Sequence, residues 1–98
     1  MAGLPSPMVE FRELLVRTVR ELEDERFEAN SPEWYFLRYV RRLRNTAEKQ
    51  ESAADCSPAM QGLTRYFVDS IDEKSDLGDR FREILECHRF ALRTGPNR

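Results

Sequence analysis

A strongly basic stretch lies between positions 38 and 49, where four Arg and one Lys stand against a single Glu. Three of the basic residues and one asparagine follow helical spacing, at i, i+4, i+7 and i+11, so one face of a helix would carry them as a row. This row consists of Arg38, Arg42, Asn45 and Lys49, with Arg41 beside it. Arg neutralises phosphate groups and binds them bidentately, so a row of this kind can follow a nucleic-acid backbone.

Two aromatic residues, Trp34 and Tyr35, stand at the start of the same polar face, and aromatic rings can stack on bases. One hypothesis is therefore nucleic-acid binding, with duplex RNA as the favoured ligand. Its predicted contact residues are Trp34, Tyr35, Arg38, Arg41, Arg42 and Lys49. The alternative is that the basic helix pairs with acidic neighbours, because residues 10–33 and 55–86 each hold eight acids against four bases.

Protein binding is the leading hypothesis, because the net charge of −2 disfavours a general nucleic-acid coat. Several apolar residues fall outside the helical core stripes, which leaves more apolar surface than a monomer needs. We expect a non-enzymatic interaction module, an adaptor or regulator, that binds a protein partner and also forms a homodimer. The residues predicted to meet the partner are Val16, Phe27, Trp34 and Phe90.

Catalytic and metal-binding patterns are absent from the sequence. Cys87 and the single histidine, His88, are adjacent, and neighbouring residues on a helix point about 100° apart, so they do not form a catalytic pair. Cys56 lies too far from Cys87 for a recognisable zinc spacing, and the acidic run Glu21–Glu25 lacks the glycine and alternating ligands of a calcium loop. We therefore expect no catalytic residue, cofactor, metal or small-molecule substrate, and we expect His88 to be a buried histidine with one hydrogen-bond partner.

Helix starts are marked by three Ser-Pro pairs and by Ser75. Serine caps an orphan N–H of the first turn, and proline fits the first helical position. The pairs also have the form of phosphorylation sites, but capping explains all three at once. The predicted helices lie near 7–28, 32–52, 58–73 and 76–93, followed by a flexible tail at 94–98.

Apolar residues recur along each predicted helix with a period near 3.6, and no strand of period two is present. Leu92 is expected on the core stripe of the fourth helix, beside His88. The predicted core is Phe11, Leu15, Leu22, Val40, Leu43, Phe67, Phe81 and Ile84. A chain of 98 residues suits one domain, so we predict an all-α fold, either a small four-helix bundle or a pair of antiparallel helical hairpins.

The sequence contains neither a secretory signal pattern nor an apolar run long enough to span a bilayer. The longest uninterrupted apolar run is Trp34–Leu37. We therefore expect an intracellular protein, most simply cytoplasmic, with reduced thiols and no membrane partner.

Overall fold

The computed structural model describes residues 6–72 and 74–94, and within these ranges the regular structure is entirely helical. The helices are α1 (Pro7–Glu25), α2 (Pro32–Lys49), α3 (Ser57–Ser70) and α4 (Asp76–Thr94), with a 3₁₀ turn at Ala54–Cys56. The predicted all-α fold is confirmed.

Neighbouring helices run antiparallel, as contacts between their opposite ends demonstrate. Arg12, near the start of α1, donates to backbone carbonyls at the end of α2. The Tyr66 hydroxyl, near the end of α3, donates to the carbonyl of Pro32 at the start of α2. Arg80, near the start of α4, pairs with Glu21 towards the end of α1. The helices therefore form an up-down-up-down bundle that measures 45 × 24 × 24 Å.

The core lies along the bundle axis, where the apolar stripes of the four helices meet. All eight predicted core residues are buried, so this part of the prediction is confirmed. Each of these helices is amphipathic, and burial of its apolar stripe is what makes it stable in a domain of this size.

Serine caps start three of the four helices. The hydroxyls of Ser6, Ser31 and Ser75 accept hydrogen bonds from N–H groups three residues later. α3 does start at Ser57, as predicted, but the predicted capping role of Ser57 is wrong, because the 3₁₀ turn leads directly into α3 and the Ser57 backbone is already helical. A residue in helical conformation does not adopt the extended backbone that an N-cap needs.

The first and third helices end three residues earlier than predicted. Arg26 adopts a left-handed conformation, with a φ of 53°, and this ends α1 at Glu25. α3 ends at Ser70 because Ile71 is extended. These turns reverse the chain towards the next serine cap within a few residues.

The second helix also ends three residues early, at Lys49, because Gln50 is extended. The Arg12 guanidinium from α1 binds the carbonyl oxygens of Ala47 and Gln50 at this point. A cation that satisfies the last carbonyls of a helix stabilises its end. In the predicted tail, Thr94 belongs to α4, and residues 95–98 lie outside the described part.

α3 and α4 form the least closely packed pair of neighbours in the bundle. Near the loop that joins them, the rings of Phe67 and Phe81 stack with their centroids 4.1 Å apart. Towards the other end of the pair a groove opens between the two helices. Leu92 lines this groove and is 44% exposed, so its predicted place in the core is wrong. The physical reason is that none of the described helices covers this side of α4.

Candidate functional site

The predicted basic row lies on the outer face of α2. Arg38, Arg42, Asn45 and Lys49 are all exposed. The core residues of the helix, among them Val40, point to the opposite side. The row spans the twelve residues from Arg38 to Lys49, which is about 16 Å of helix from first to last. Together with Arg41 and Thr46, its members border a shallow cleft of about 370 Å³.

The arginines of α2 divide into paired and unpaired groups. Arg41 donates two hydrogen bonds to Glu23 of α1, at 2.7 and 3.1 Å. Arg44 contacts Glu48 on its own helix at 3.7 Å. Within residues 6–72 and 74–94, the side chains of Arg38, Arg42 and Lys49 form no ion pair. Pairing with acidic neighbours therefore accounts for Arg41, but it does not account for the rest of the row.

Two further acids of α1, Glu21 and Glu25, pair with α4 and not with the basic row. Arg80 contacts Glu21 at 2.7 Å and Glu25 at 3.7 Å. Arg17 of α1 contacts Glu83 of α4 at 3.3 Å. The hydrogen bond from Arg80 lowers the pKa of Glu21, and it outweighs the opposing effect of desolvation. Charge pairing thus connects α1 to α4 more than α1 to α2.

An aromatic cluster adjoins the basic row where α2 meets α3. The rings of Tyr39 and Tyr66 stack with centroids 5.0 Å apart, and Tyr35 lies 6.1 Å from Tyr66. Trp34 meets Tyr35 edge-on at 4.9 Å, and the guanidinium of Arg38 lies 5.0 Å from the centre of the Trp34 ring. A cation over an indole ring is a favourable arrangement.

Hydrogen bonds fix two of these rings. The Tyr66 hydroxyl donates to the carbonyl of Pro32, and the Tyr35 hydroxyl donates to the side chain of Asn30, each at 3.0 Å. Burial is the main cause that raises the pKa of Tyr66 above the ordinary value of 10.0. We call the combined surface the basic-aromatic face. It consists of Trp34, Tyr35, Arg38, Tyr39, Arg42, Lys49 and Tyr66.

Sequence reasoning missed Tyr39 and Tyr66 as parts of this surface. Helical spacing puts Tyr39 next to the core stripe of α2, and nothing in the sequence connects it with a residue on α3. A weak signal was present, because an Arg-Tyr pair occurs in both helices, at Arg38-Tyr39 and at Arg65-Tyr66. Only the packing of α2 against α3 stacks the two rings.

The four residues predicted to meet a protein partner are not brought together. Trp34 lies at the start of α2 and Phe90 near the end of α4. α2 and α4 both run antiparallel to α1, so these two residues lie at opposite ends of the bundle. Val16, on α1, is 39% exposed. Phe27 was expected off the core, but it packs against the core, because the chain turns back after the left-handed Arg26.

His88 is buried, and its Nε2 lies 2.8 Å from the carbonyl oxygen of Ala53. This confirms the predicted buried histidine with a hydrogen-bond partner. Both cysteines are free, and burial is the main cause that raises the pKa of Cys56 and of Cys87. Thiols of this kind are mostly protonated at neutral pH and are therefore weak nucleophiles.

Within the described ranges, no group of three or more His, Cys, Asp or Glu residues is placed to hold a metal ion. None of the described helices has the length and apolar character needed to cross a membrane. Comparisons with protein families, with curated proteins and with solved structures find no match to this chain. The functional argument therefore depends on the surface itself.

Proposed function

We propose that the protein is a non-enzymatic helical interaction module, an adaptor or regulator, whose basic-aromatic face binds an acidic segment of a protein partner. One observation carries the proposal. Arg38 and Arg42 are exposed without an acidic partner in the described part of the chain, directly beside aromatic rings that are already ordered. Arg17, Arg41 and Arg80, in contrast, pair with carboxylates of neighbouring helices. The adjoining aromatic rings distinguish Arg38 and Arg42 from other exposed arginines such as Arg93.

The composition of this face suits a protein interface. Trp, Tyr and Arg are the residues that most often dominate the binding energy of such interfaces. The tyrosine rings are held by stacking and hydrogen bonds, so little side-chain entropy remains to be lost on binding. Of the residues predicted from sequence for a partner, this proposal keeps Trp34, because the other three lie elsewhere on the bundle.

Carboxylates are the expected ligands of Arg38, Arg42 and Lys49. Arg binds a carboxylate with two parallel hydrogen bonds, and a guanidinium on an indole ring keeps its outer edge available for them. An acidic segment with an apolar or aromatic side chain would meet both parts of the face. A net charge of −2 does not prevent this, because some of the acidic side chains of α1 and α4 pair with arginines of the other helix.

Duplex RNA is the second candidate, and the continuity of the basic row favours it. The row extends over about 16 Å. Rings that could contact bases or sugars stand at its head. The row has three cations without an ion pair in the described part, Arg38, Arg42 and Lys49. Tight nucleic-acid binding usually uses more phosphate contacts than this, so we rank duplex RNA below a protein partner.

The test measures binding by fluorescence anisotropy to two probes, a Glu-rich peptide that contains Phe and Tyr, and a duplex RNA. Each titration is run at about 50 and about 200 mM salt. Arg38→Glu/Arg42→Glu is compared with Arg20→Glu/Arg93→Glu, which changes net charge equally at exposed arginines outside the face. We expect the peptide to bind, the first variant to weaken binding about tenfold or more, and the second to leave it nearly unchanged.

Three results would contradict the proposal. The first is the absence of peptide binding at low salt. The second is equal binding by the two double variants. The third is tighter binding of RNA than of peptide, with a log–log salt slope of about −0.9 per phosphate neutralised, which would establish the second candidate instead. Circular dichroism of each variant checks that the helices are intact.

A further inference from the structure

A groove of about 590 Å³ lies between α3 and α4, on a different side of the bundle from the basic row. Met60 and Leu85 contribute to its apolar lining, and Val68 and Leu92 stand at its edges. Val68 is 72% exposed, more than any other large hydrophobic residue in the described ranges. Apolar side chains this exposed, along one groove, indicate a surface that another molecule covers.

The apolar edges of the groove are arranged diagonally. Val68 lies near the C-terminal end of α3, and Leu92 lies near the C-terminal end of α4. The two helices are antiparallel, so Val68 and Leu92 occupy opposite ends of the groove and opposite walls. The stacked pair Phe67 and Phe81, which is level with Val68 and far from Leu92, fixes this relation.

Opposite charges on the rim follow the same diagonal. Asp69 adjoins Val68 on α3, and Arg89 lies about one turn before Leu92 on α4. Within one chain, Asp69 and Arg89 are too far apart along the groove to pair. Phe81 on α4 lies at the same level along the bundle as Phe67 on α3, because their rings stack. Arg89 lies eight residues beyond Phe81, which is about 12 Å along the helix.

We propose that this groove is the interface of a homodimer, in which a second copy of the chain is related by a twofold axis. The axis lies in the plane of the interface, passes through the middle of the groove and is perpendicular to the line from Val68 to Leu92. A rotation of 180° about this axis turns the second copy to face the first and exchanges the two ends of that diagonal. Val68 of one copy then meets Leu92 of the other, and Asp69 approaches Arg89 of the other, so that each contact occurs twice. This is the self-complementarity that an isologous interface requires.

Arg65 also stands on the rim, closer to the middle of the groove. Its long aliphatic stem lets the guanidinium remain in solvent while the apolar part covers the groove. The interface uses none of the residues of the basic-aromatic face. The dimer therefore presents two such faces on one assembly, and either proposal can fail without the other.

The first test measures the oligomeric state of the full chain by sedimentation velocity over a range of concentrations. We expect a dimer, and we expect Val68→Glu/Leu92→Glu to be monomeric with an unchanged circular dichroism spectrum. Val16→Glu is the matched control, because Val16 is 39% exposed but lies on α1, outside the groove. This control should remain dimeric.

The second test reverses charges at the rim and stays informative if the groove variant fails to fold. Asp69→Arg and Arg89→Asp should each raise the dissociation constant of the dimer about tenfold, and the double variant should recover most of the loss. Because the two residues cannot meet within one chain, recovery reports a contact between copies. Any one of four results would overturn the proposal. The wild-type chain could be monomeric at the highest concentration, or the folded Val68→Glu/Leu92→Glu variant could remain dimeric. Val16→Glu could break the dimer, or the Asp69→Arg/Arg89→Asp double variant could fail to recover it.

Discussion

The seam between α1 and α4 and the outer face of α2 are both rich in arginine, yet their arginines are used differently. At the seam, Arg17 and Arg80 reach carboxylates of the neighbouring helix. On α2, Arg38 and Arg42 have no such carboxylate within the described part and lie beside aromatic rings instead. Arginines of similar spacing are thus structural contacts in one region and exposed side chains without an ion pair in the described part in the other. The difference depends on whether the adjacent helix places a carboxylate within about 4 Å of the guanidinium group.

The largest expected effect tests whether the two regions belong to one cooperative unit. Leu22, fully buried on α1, lies in the core that both regions share. We expect Leu22→Ala to lower the free energy of unfolding by about 2–5 kcal/mol, because a cavity replaces the packed side chain. A small domain has only about 5–15 kcal/mol in total. Urea denaturation followed by circular dichroism and by Trp34 fluorescence should give one coincident transition, and separate transitions would mean that the regions unfold independently.

The next effect compares two arginines directly. Arg12 binds the carbonyl oxygens of Ala47 and Gln50, whereas the Arg42 side chain has no ion pair in the described ranges. Arg12→Met should lower the free energy of unfolding by about 1–3 kcal/mol, because carbonyls at the end of α2 lose a charged donor. Arg42→Met should change it by less than about 0.5 kcal/mol. Equal losses in chemical denaturation would remove the distinction between structural and free arginines.

A smaller effect depends on pH and concerns the seam. The hydrogen bond from Arg80 is the main cause that lowers the pKa of Glu21 in the folded state. The ionised Glu21 therefore stabilises the fold at pH values above its ordinary pKa of 4.5. This stabilisation is lost as the pH falls through the folded-state pKa. Arg80→Met should therefore lower the melting temperature slightly at pH 7, and the difference from wild type should shrink in acid. Arg93→Met is the control, since Arg93 is exposed and forms no ion pair in the described part. A difference that persists unchanged at low pH would exclude this role for Glu21.

The smallest effect concerns the reactivity of the two cysteine thiols, Cys87 on α4 and Cys56 in the 3₁₀ turn. Cys87 is half-buried and Cys56 is fully buried. Burial, and then the charges of Glu10 and Glu83, raise the pKa of Cys87. With a thiol reagent at neutral pH, Cys87 should react more slowly than free cysteine, and Cys56 should react only after global unfolding. Mass spectrometry of the labelled peptides distinguishes the two, and rapid labelling of Cys56 in the native protein would contradict the packing of the 3₁₀ turn.

The sequence by itself determined the elements and the interior of this protein. Period-3.6 apolar stripes, serine caps at Ser6, Ser31 and Ser75, and the scarcity of glycine predict four helices, and the eight predicted core residues are all buried. It also determined the exposed basic row, because residues four and seven apart on one helix share a face whatever surrounds it. These features depend on local geometry, which neighbouring residues specify.

Only the tertiary structure decided which of these residues act together. The cap that Arg12 provides for α2, the stacking of Tyr39 on Tyr66, and the burial of Phe27 all join residues that are distant in sequence or separated by a turn. The same holds for the choice between paired and unpaired arginines, since it depends on which acidic side chains the antiparallel packing brings close. The exposure of Leu92 follows from the open seam between α3 and α4. Spacing along one helix specifies a face, but the contacts of that face are set by how the other helices pack around it.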